Sequence, residues 1–241
     1  MKKTFAILLF LSIFPASLTA ETPDDSAKYK QARQEMVSKQ IRRRGISDPA
    51  VLEAIRAVPR HFFVPRHQIK QAYTDRPLAI GEGQTISQPY IVALMSESLK
   101  LEGDDHVLEI GTGSGYQAAV LSKIVSQVYT IEIKEKLHLK SKKLLESIEF
   151  DNISTRHGDG YFGWQSAAPF DCIMITAAVD HIPPPLLKQL KNGGKLILPL
   201  GNPFNYQNLT LVTREDDNFI VKQITGVLFV PMTGYALKQD R

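Results

Sequence analysis

The stretch Glu109-Ile110-Gly111-Thr112-Gly113-Ser114-Gly115 has the composition of a backbone cradle. It leaves an apolar segment, His106 to Ile110, that reads as a strand, and it enters a helical pattern running from about Tyr116 to Val125. Three alternating glycines let the chain turn tightly and approach a bound molecule, while the amino terminus of the next helix offers free N–H groups to the same place. A second strand-like segment, Val128 to Ile133, carries Glu132 near its end, about 20 residues beyond the first glycine, where a carboxylate can take both hydroxyls of a ribose. The implied chemistry is recognition of a nucleoside.

Two cofactor classes share that logic. The dinucleotide version asks for a small residue at the sixth position counted from Gly111, and Tyr116 stands there, which disfavours a nicotinamide oxidoreductase and leaves it as an alternative. An acid, any residue, then three alternating glycines is the form found in methyltransferases that bind S-adenosylmethionine, a ligand with no pyrophosphate to accommodate. A serine hydrolase is disfavoured too, because Ser114 is flanked at its −2 and +2 positions by Thr112 and Tyr116 where a nucleophile elbow needs glycines. Asp159 and Gly160, in His157-Gly158-Asp159-Gly160, follow a third strand and face the same ligand, where the aspartate can accept from an adenine amino group. Gly-Asp-Gly alone also describes a turn, and each of the six histidines reads as a solvated residue. A second candidate is the run Gly81 to Pro89. Thr85 and Ser87 lie just before a helix that opens at Pro89 and carries Ile91, Leu94, Met95, Ser98 and Leu99 at helical spacing. Unpaired N–H groups there favour an anion such as a carboxylate, but as bare sequence simple capping by Ser87 or Gln88 is the favoured explanation.

The elements that must position these residues alternate. Strands are predicted at about 106–110, 128–133, 153–156, 170–176 and 195–200, with helices at 116–125, 134–148 and 183–191 between them, which builds an open, doubly wound, Rossmann-like α/β sheet. Segments 209–214 and 219–227 flank Glu215-Asp216-Asp217-Asn218 and read as a hairpin that places one antiparallel strand near the sheet edge. Upstream, residues 27–44 read as a helix with Arg42, Arg43 and Arg44 at its carboxyl end and Gly45 as its stop, the arginines doing no more than that. Ser47-Asp48-Pro49 starts a second helix. Residues 21–241 then form a single domain: a helical part with the substrate loop to residue 100, a cofactor-binding core over 101–201, and a hairpin with a closing arm over 202–241.

Composition narrows the class. The chain has 241 residues, 43% of them hydrophobic and 22% charged, with a formal net charge of +4, an ordinary globular balance without the basic block that tracks nucleic acid. The single cysteine, Cys172, can form no internal disulfide and no zinc set. Lys2 and Lys3 precede an apolar run from Phe5, closed by Pro15 and small residues up to Ala20, the layout of a secretory signal too short for a stable membrane span.

From about residue 33 to 234 the chain closely resembles the protein-L-isoaspartate O-methyltransferases. The matching stretches are Val58-Pro59-Arg60, Phe63-Val64-Pro65, Gly83 to Tyr90, Val107 to Tyr116, His157 to Gly160, Ala168 to Asp171, and Phe229 to Gly234. Gln84 to Tyr90 is the most specific of them. The resemblance implies a repair enzyme that moves the methyl group of S-adenosylmethionine to the free carboxylate of L-isoaspartyl, and D-aspartyl, residues in damaged proteins and peptides. The ester then collapses to a succinimide that reopens partly to aspartate. Carried over by position, Ser87 is the active-site hydroxyl, and Gln84, Thr85 and Ile86 line cofactor and substrate. Glu109, Gly111, Gly113 and Gly115 form the glycine motif, Glu132 and Ile133 hold the ribose and adenine region, Asp159 and Gly160 the adenine, and Thr233 closes the pocket. Val179-Asp180 stands where the family often has proline. A carboxylate is already ionised at neutral pH, so a chain without a His-Asp or Cys-His pairing suits this reaction. A non-catalytic binder of adenosyl ligands is the other alternative. A monomer is expected, exported to the periplasm by its leading segment, or cytoplasmic as is usual for the family.

Overall fold

A computed structural model describes residues 24–238; the predicted signal lies outside them. Nine strands and six α-helices follow in chain order among the described residues: α1 Ala27–Glu35, α2 Pro49–Ala57, β1 Leu78–Gly81, β2 Gln84–Ile86, α3 Pro89–Leu99, β3 His106–Ile110, α4 Tyr116–Leu121, β4 Gln127–Glu132, α5 Glu135–Ser147, β5 Ile153–His157, β6 Phe170–Ile175, α6 Pro184–Lys188, β7 Leu190–Gly201, β8 Gln207–Glu215 and β9 Asn218–Val227. Seven strands form one sheet in the order β5-β4-β3-β6-β7-β8-β9. β3 to β7 pair in parallel, whereas β8 is antiparallel to both β7 and β9 and so alone runs against the rest. The order reverses at β3, between β4 and β6, and there the crevice of a doubly wound sheet opens.

Strand alternation loads both faces of the sheet. Val107, Cys172, Met174 and Ile197 pack with Met95, Leu99, Ala118 and Leu121 of α3 and α4, while Leu108, Ile110, Ile173, Ile175 and Leu196 pack with Leu186 of α6 on the opposite side. Burial pushes the Cys172 thiol up to about 12, which makes it a core residue without nucleophilic character. No helix among the described residues is long and apolar enough to cross a membrane.

Residues 27–44 are helical, but α1 widens into a π-helical stretch, Met36–Ile41, and tightens into a 3₁₀ turn, Arg42–Arg44, before Gly45 stops it at φ 97°. That irregular path buries Met36, Val37 and Ile41 together. Residues 81–86 are part of a hairpin, β1–β2, that stands apart from the main sheet and turns through Gly81, Glu82 and Gly83, all at positive φ. α4 ends at Leu121, short of Val125, and β7 begins at Leu190, ahead of residue 195, because Leu190 already pairs with Phe170 of β6 before a bulge. His61 is no solvated histidine: it is 4% exposed, stacked on Tyr29 and bonded to the Tyr73 hydroxyl and the Asp24 carbonyl.

Candidate active site

A cleft, open at its mouth, lies at the carboxyl ends of β3, β4 and β6 and is roofed by β2 and by the segment after β9. Gln84, Thr85, Ile86, Ser87, Gly111, Gly113, Glu132, Ile133, Gly160 and Thr233 all line it. Residues 150 positions apart in the chain thus share one wall. Glu109, Gly115 and Asp159 do not reach the lining.

The glycine loop explains itself geometrically. Its first amides, Gly111 and Thr112, donate to the Ile131 carbonyl, at 2.8 and 3.2 Å, so the loop is fastened to β4 as it leaves β3. Gly111 sits at φ 99°, and a Cβ there would lie 2.5 Å from Thr176 Oγ1, the hydroxyl that donates to the carbonyls of Ile110 and Gly111. Gly115 caps α4 at φ 87° against Leu145 and shapes the turn from behind. Glu132 is 4% exposed; one oxygen accepts from the Gly113 amide at 2.8 Å and the other from the Lys134 amide at 2.9 Å. A carboxylate has about four lone-pair positions, so the two that remain can take ribose hydroxyls without loosening the loop.

Glu109 is fully buried beneath this loop. It accepts from the Thr130 hydroxyl at 2.5 Å, Thr130 in turn meets Thr112, and the second Glu109 oxygen has no partner. Burial, with Glu132 nearby, raises its pKa to about 8, so the acid is neutral at pH 7 and acts as a support for the loop. Asp159 likewise stands one residue behind the lining. Its carboxylate accepts from the Tyr161 amide at 3.0 Å, as a turn residue does, and from the Tyr235 amide at 2.7 Å, which ties down the arm after β9. Gly160 is compulsory, since a Cβ would come within 2.3 Å of Ile110 Cγ2.

Ser87 is half-buried between β2 and α3. Neither Ser87 nor Gln88 caps α3 through its side chain. The first turn of α3 is served from outside, by Asp75, whose Oδ1 lies 3.4 Å from the Tyr90 amide, and Arg44 holds Asp75 at 2.8 Å while covering the Tyr90 ring. The arginine run therefore does more than end a helix: Arg44 orders the Ser87 region. Sequence reasoning also missed Tyr116 and Thr176, and the backbone of Val230 to Met232. That arm is stitched to Ala178, which donates to the Val230 carbonyl and accepts from the Met232 amide, each at 2.8 Å. Tyr116 had one available signal, its place directly after the last glycine; the contacts of Ala178 had none.

The match to known proteins agrees with this geometry. The family model for protein-L-isoaspartate(D-aspartate) O-methyltransferase (PCMT) matches residues 31–237. Protein-L-isoaspartate O-methyltransferase 2 of Shewanella sediminis is 63% identical over 241 residues, covering 100% of this chain and 99% of that protein. A solved protein-L-isoaspartate O-methyltransferase superposes with a TM-score of 0.78 at 29% identity, over 85% of this chain and 67% of that one. A Plasmodium falciparum protein solved in complex with S-adenosyl-L-homocysteine shares the fold, with a TM-score of 0.72 at 24% identity over 85% of this chain and 98% of that one. A glycine cradle, a half-engaged glutamate and a hydroxyl-bearing hairpin on one cleft, matched along nearly the whole described chain, place it in the protein-L-isoaspartate(D-aspartate) O-methyltransferase family.

Proposed function

We propose that the chain is a repair enzyme that methylates the free carboxylate of isoaspartyl residues in damaged proteins, with S-adenosylmethionine as donor. The observation that carries this reading is that the cradle formed by Gly111, Gly113 and Glu132 and the hydroxyl of Ser87 line the same cleft. The residues fit the donor: Glu132 keeps lone pairs for a ribose, and Ile133, Gly160 and Thr233 line the same cleft, where an apolar side chain and a residue without one leave room for a base. When bound, S-adenosylmethionine supplies a methyl group on a positively charged sulfur.

The chain's own part is positioning. Ser87 can donate to one oxygen of the acceptor carboxylate and leave the other free. The carboxylate needs no base to ionise it, so holding it at near-attack distance is the main contribution available. Ile86, Val92 and Ile110 make an apolar wall around that position, which favours a reaction in which opposite charges neutralise one another. The leading segment reads as a signal that would carry the enzyme out of the cytoplasm, against the family's usual cytoplasmic location; reading the mature amino terminus of fractionated cells tests this, and an intact Met1 in the soluble cytoplasm overturns it.

The decisive assay mixes residues 21–241 with methyl-labelled S-adenosylmethionine and paired peptides that differ only in one aspartyl or isoaspartyl linkage. Base-labile label on the isoaspartyl peptide alone is the expected result. Cofactor binding without label on either peptide would leave a binding protein.

A further inference from the structure

Arg60 opens the 3₁₀ turn Arg60–Phe63 and is 0% exposed. Its Nε donates to the Ala72 carbonyl at 2.9 Å, its Nη2 donates to the Ser87 carbonyl at 2.7 Å, and its guanidinium carbon lies 4.8 Å from the centre of the Tyr116 ring. The third nitrogen, Nη1, has no carboxylate partner; the side chain it meets is that of Tyr116, whose hydroxyl is buried, lines the cleft and interacts with Arg60. A fully buried guanidinium is ordinarily paired with a carboxylate, because removing it from water alone costs several kcal/mol. Among the described residues none forms an ion pair with Arg60; Asp75, the acid whose field reaches it, is engaged by Arg44. Burial lowers the Arg60 pKa to about 10, which leaves it charged at neutral pH.

Two carbonyls and the Tyr116 side chain are all neutral partners, so they hold the guanidinium in place but leave its charge uncompensated behind Ser87. The reaction supplies the missing anion. We propose that Arg60 is a positioning residue for the acceptor: it fixes Ser87 through the main-chain carbonyl, and its field draws an anionic group to the Ser87 hydroxyl. The inference rests on the reading of the site given above. Its placement one layer back matters chemically. A guanidinium bonded directly to the carboxylate would occupy the lone pairs that must attack, whereas a cation behind the wall attracts through a low-dielectric medium and leaves them free. Arg60 therefore governs capture of the acceptor more than binding of the donor.

The test compares the isoaspartyl peptide with the same peptide whose free carboxylate is replaced by a carboxamide, as substrate and competitive inhibitor, in the wild type, Arg60→Lys and Arg60→Met. The wild type is expected to prefer the carboxylate by about tenfold or more. Arg60→Met is expected to bring that ratio near unity and to raise the peptide KM about tenfold while the donor Kd stays within about twofold. Arg60→Lys, which keeps the charge but reaches one carbonyl, is expected to retain the preference with a lower kcat. A folded Arg60→Met enzyme with the wild-type preference overturns the proposal, as does a rise of peptide KM and donor Kd together with the preference intact. If Arg60→Met does not fold, an Arg60→Lys enzyme with unaltered kcat overturns it, and a wild-type ratio near unity does so without any variant. Failure of the wild type to methylate the isoaspartyl peptide is a different result, one that removes the functional reading itself.

Discussion

At the scale of single residues, the site depends on a hydroxyl and on the absence of side chains. Ser87→Ala removes one hydrogen bond to a charged group, worth about 1.5–3 kcal/mol, so kcat should fall roughly tenfold to a hundredfold. Donor affinity by calorimetry should hardly change, because Glu132 and the glycine loop are untouched; unaltered turnover would take Ser87 out of the mechanism. Gly160→Ala tests the opposite principle. Its new methyl group meets Ile110 Cγ2 at 2.3 Å, and overpacking of this kind costs about 1–3 kcal/mol. Thermal melting should register that loss, with donor binding weakened in parallel. Gly111, Gly113 and Glu132 were legible as lining residues from glycine spacing and a strand end, whereas Ser87 and Gly160 were named through the family resemblance, since a cap and a turn explain them as bare sequence. Arg60 was not legible as a site residue: it matched the family stretch Val58-Pro59-Arg60, but its contacts with Ala72 and Ser87 exist only after the chain has folded back.

At the scale of elements, the arm after β9 closes the cleft by backbone pairing and by Asp159. Its amides are bonded to Ala178 and to the Asp159 carboxylate, and the rings of Tyr161, Phe162 and Tyr235 gather beside that anchor. Asp159→Ala leaves the Tyr235 amide without its acceptor, a loss of about 1 kcal/mol confined to the arm. Hydrogen exchange should accelerate at residues 232–236 while the amides of β3 and β4 keep their protection. Exchange that rises uniformly would show that Asp159 supports the whole fold instead. The hairpin β1–β2 illustrates the limits of local reading. Gly81 and Gly83 signal a turn, but the strands on either side are only four and three residues long, too short for periodicity to register. Ile80 is held by burial in one cluster with Phe63, Leu137 and Leu145, residues distant in the chain.

At the scale of the whole molecule, two buried titratable groups pull stability in opposite directions. Glu109 has a folded pKa of about 8 against an ordinary 4.5, so the folded state binds more protons than the unfolded chain in that interval and stability declines as pH rises through it. His61 is held below its ordinary 6.5 by burial, so the unfolded chain binds more protons below that value and stability is lost as pH falls from it. Denaturant unfolding across pH 5 to 9 should show stability falling between about 6.5 and 8, where Glu109 acts alone, and levelling off just below 6.5, where His61 opposes it. Glu109→Gln should remove the decline above 6.5 and His61→Gln should extend it to lower pH; identical profiles for variants and wild type would refute both assignments. The sequence by itself determined the sheet, the cofactor loop and the residue types of the site, because strand alternation, glycine spacing and strand-end carboxylates are imposed by local geometry. Only the tertiary structure decided that Arg44 orders the start of α3 through Asp75, that Asp159 anchors the arm, and that a buried guanidinium with no carboxylate partner is bonded to the Ser87 carbonyl. Those roles depend on burial and on through-space contact between segments distant in the chain, which no local pattern encodes.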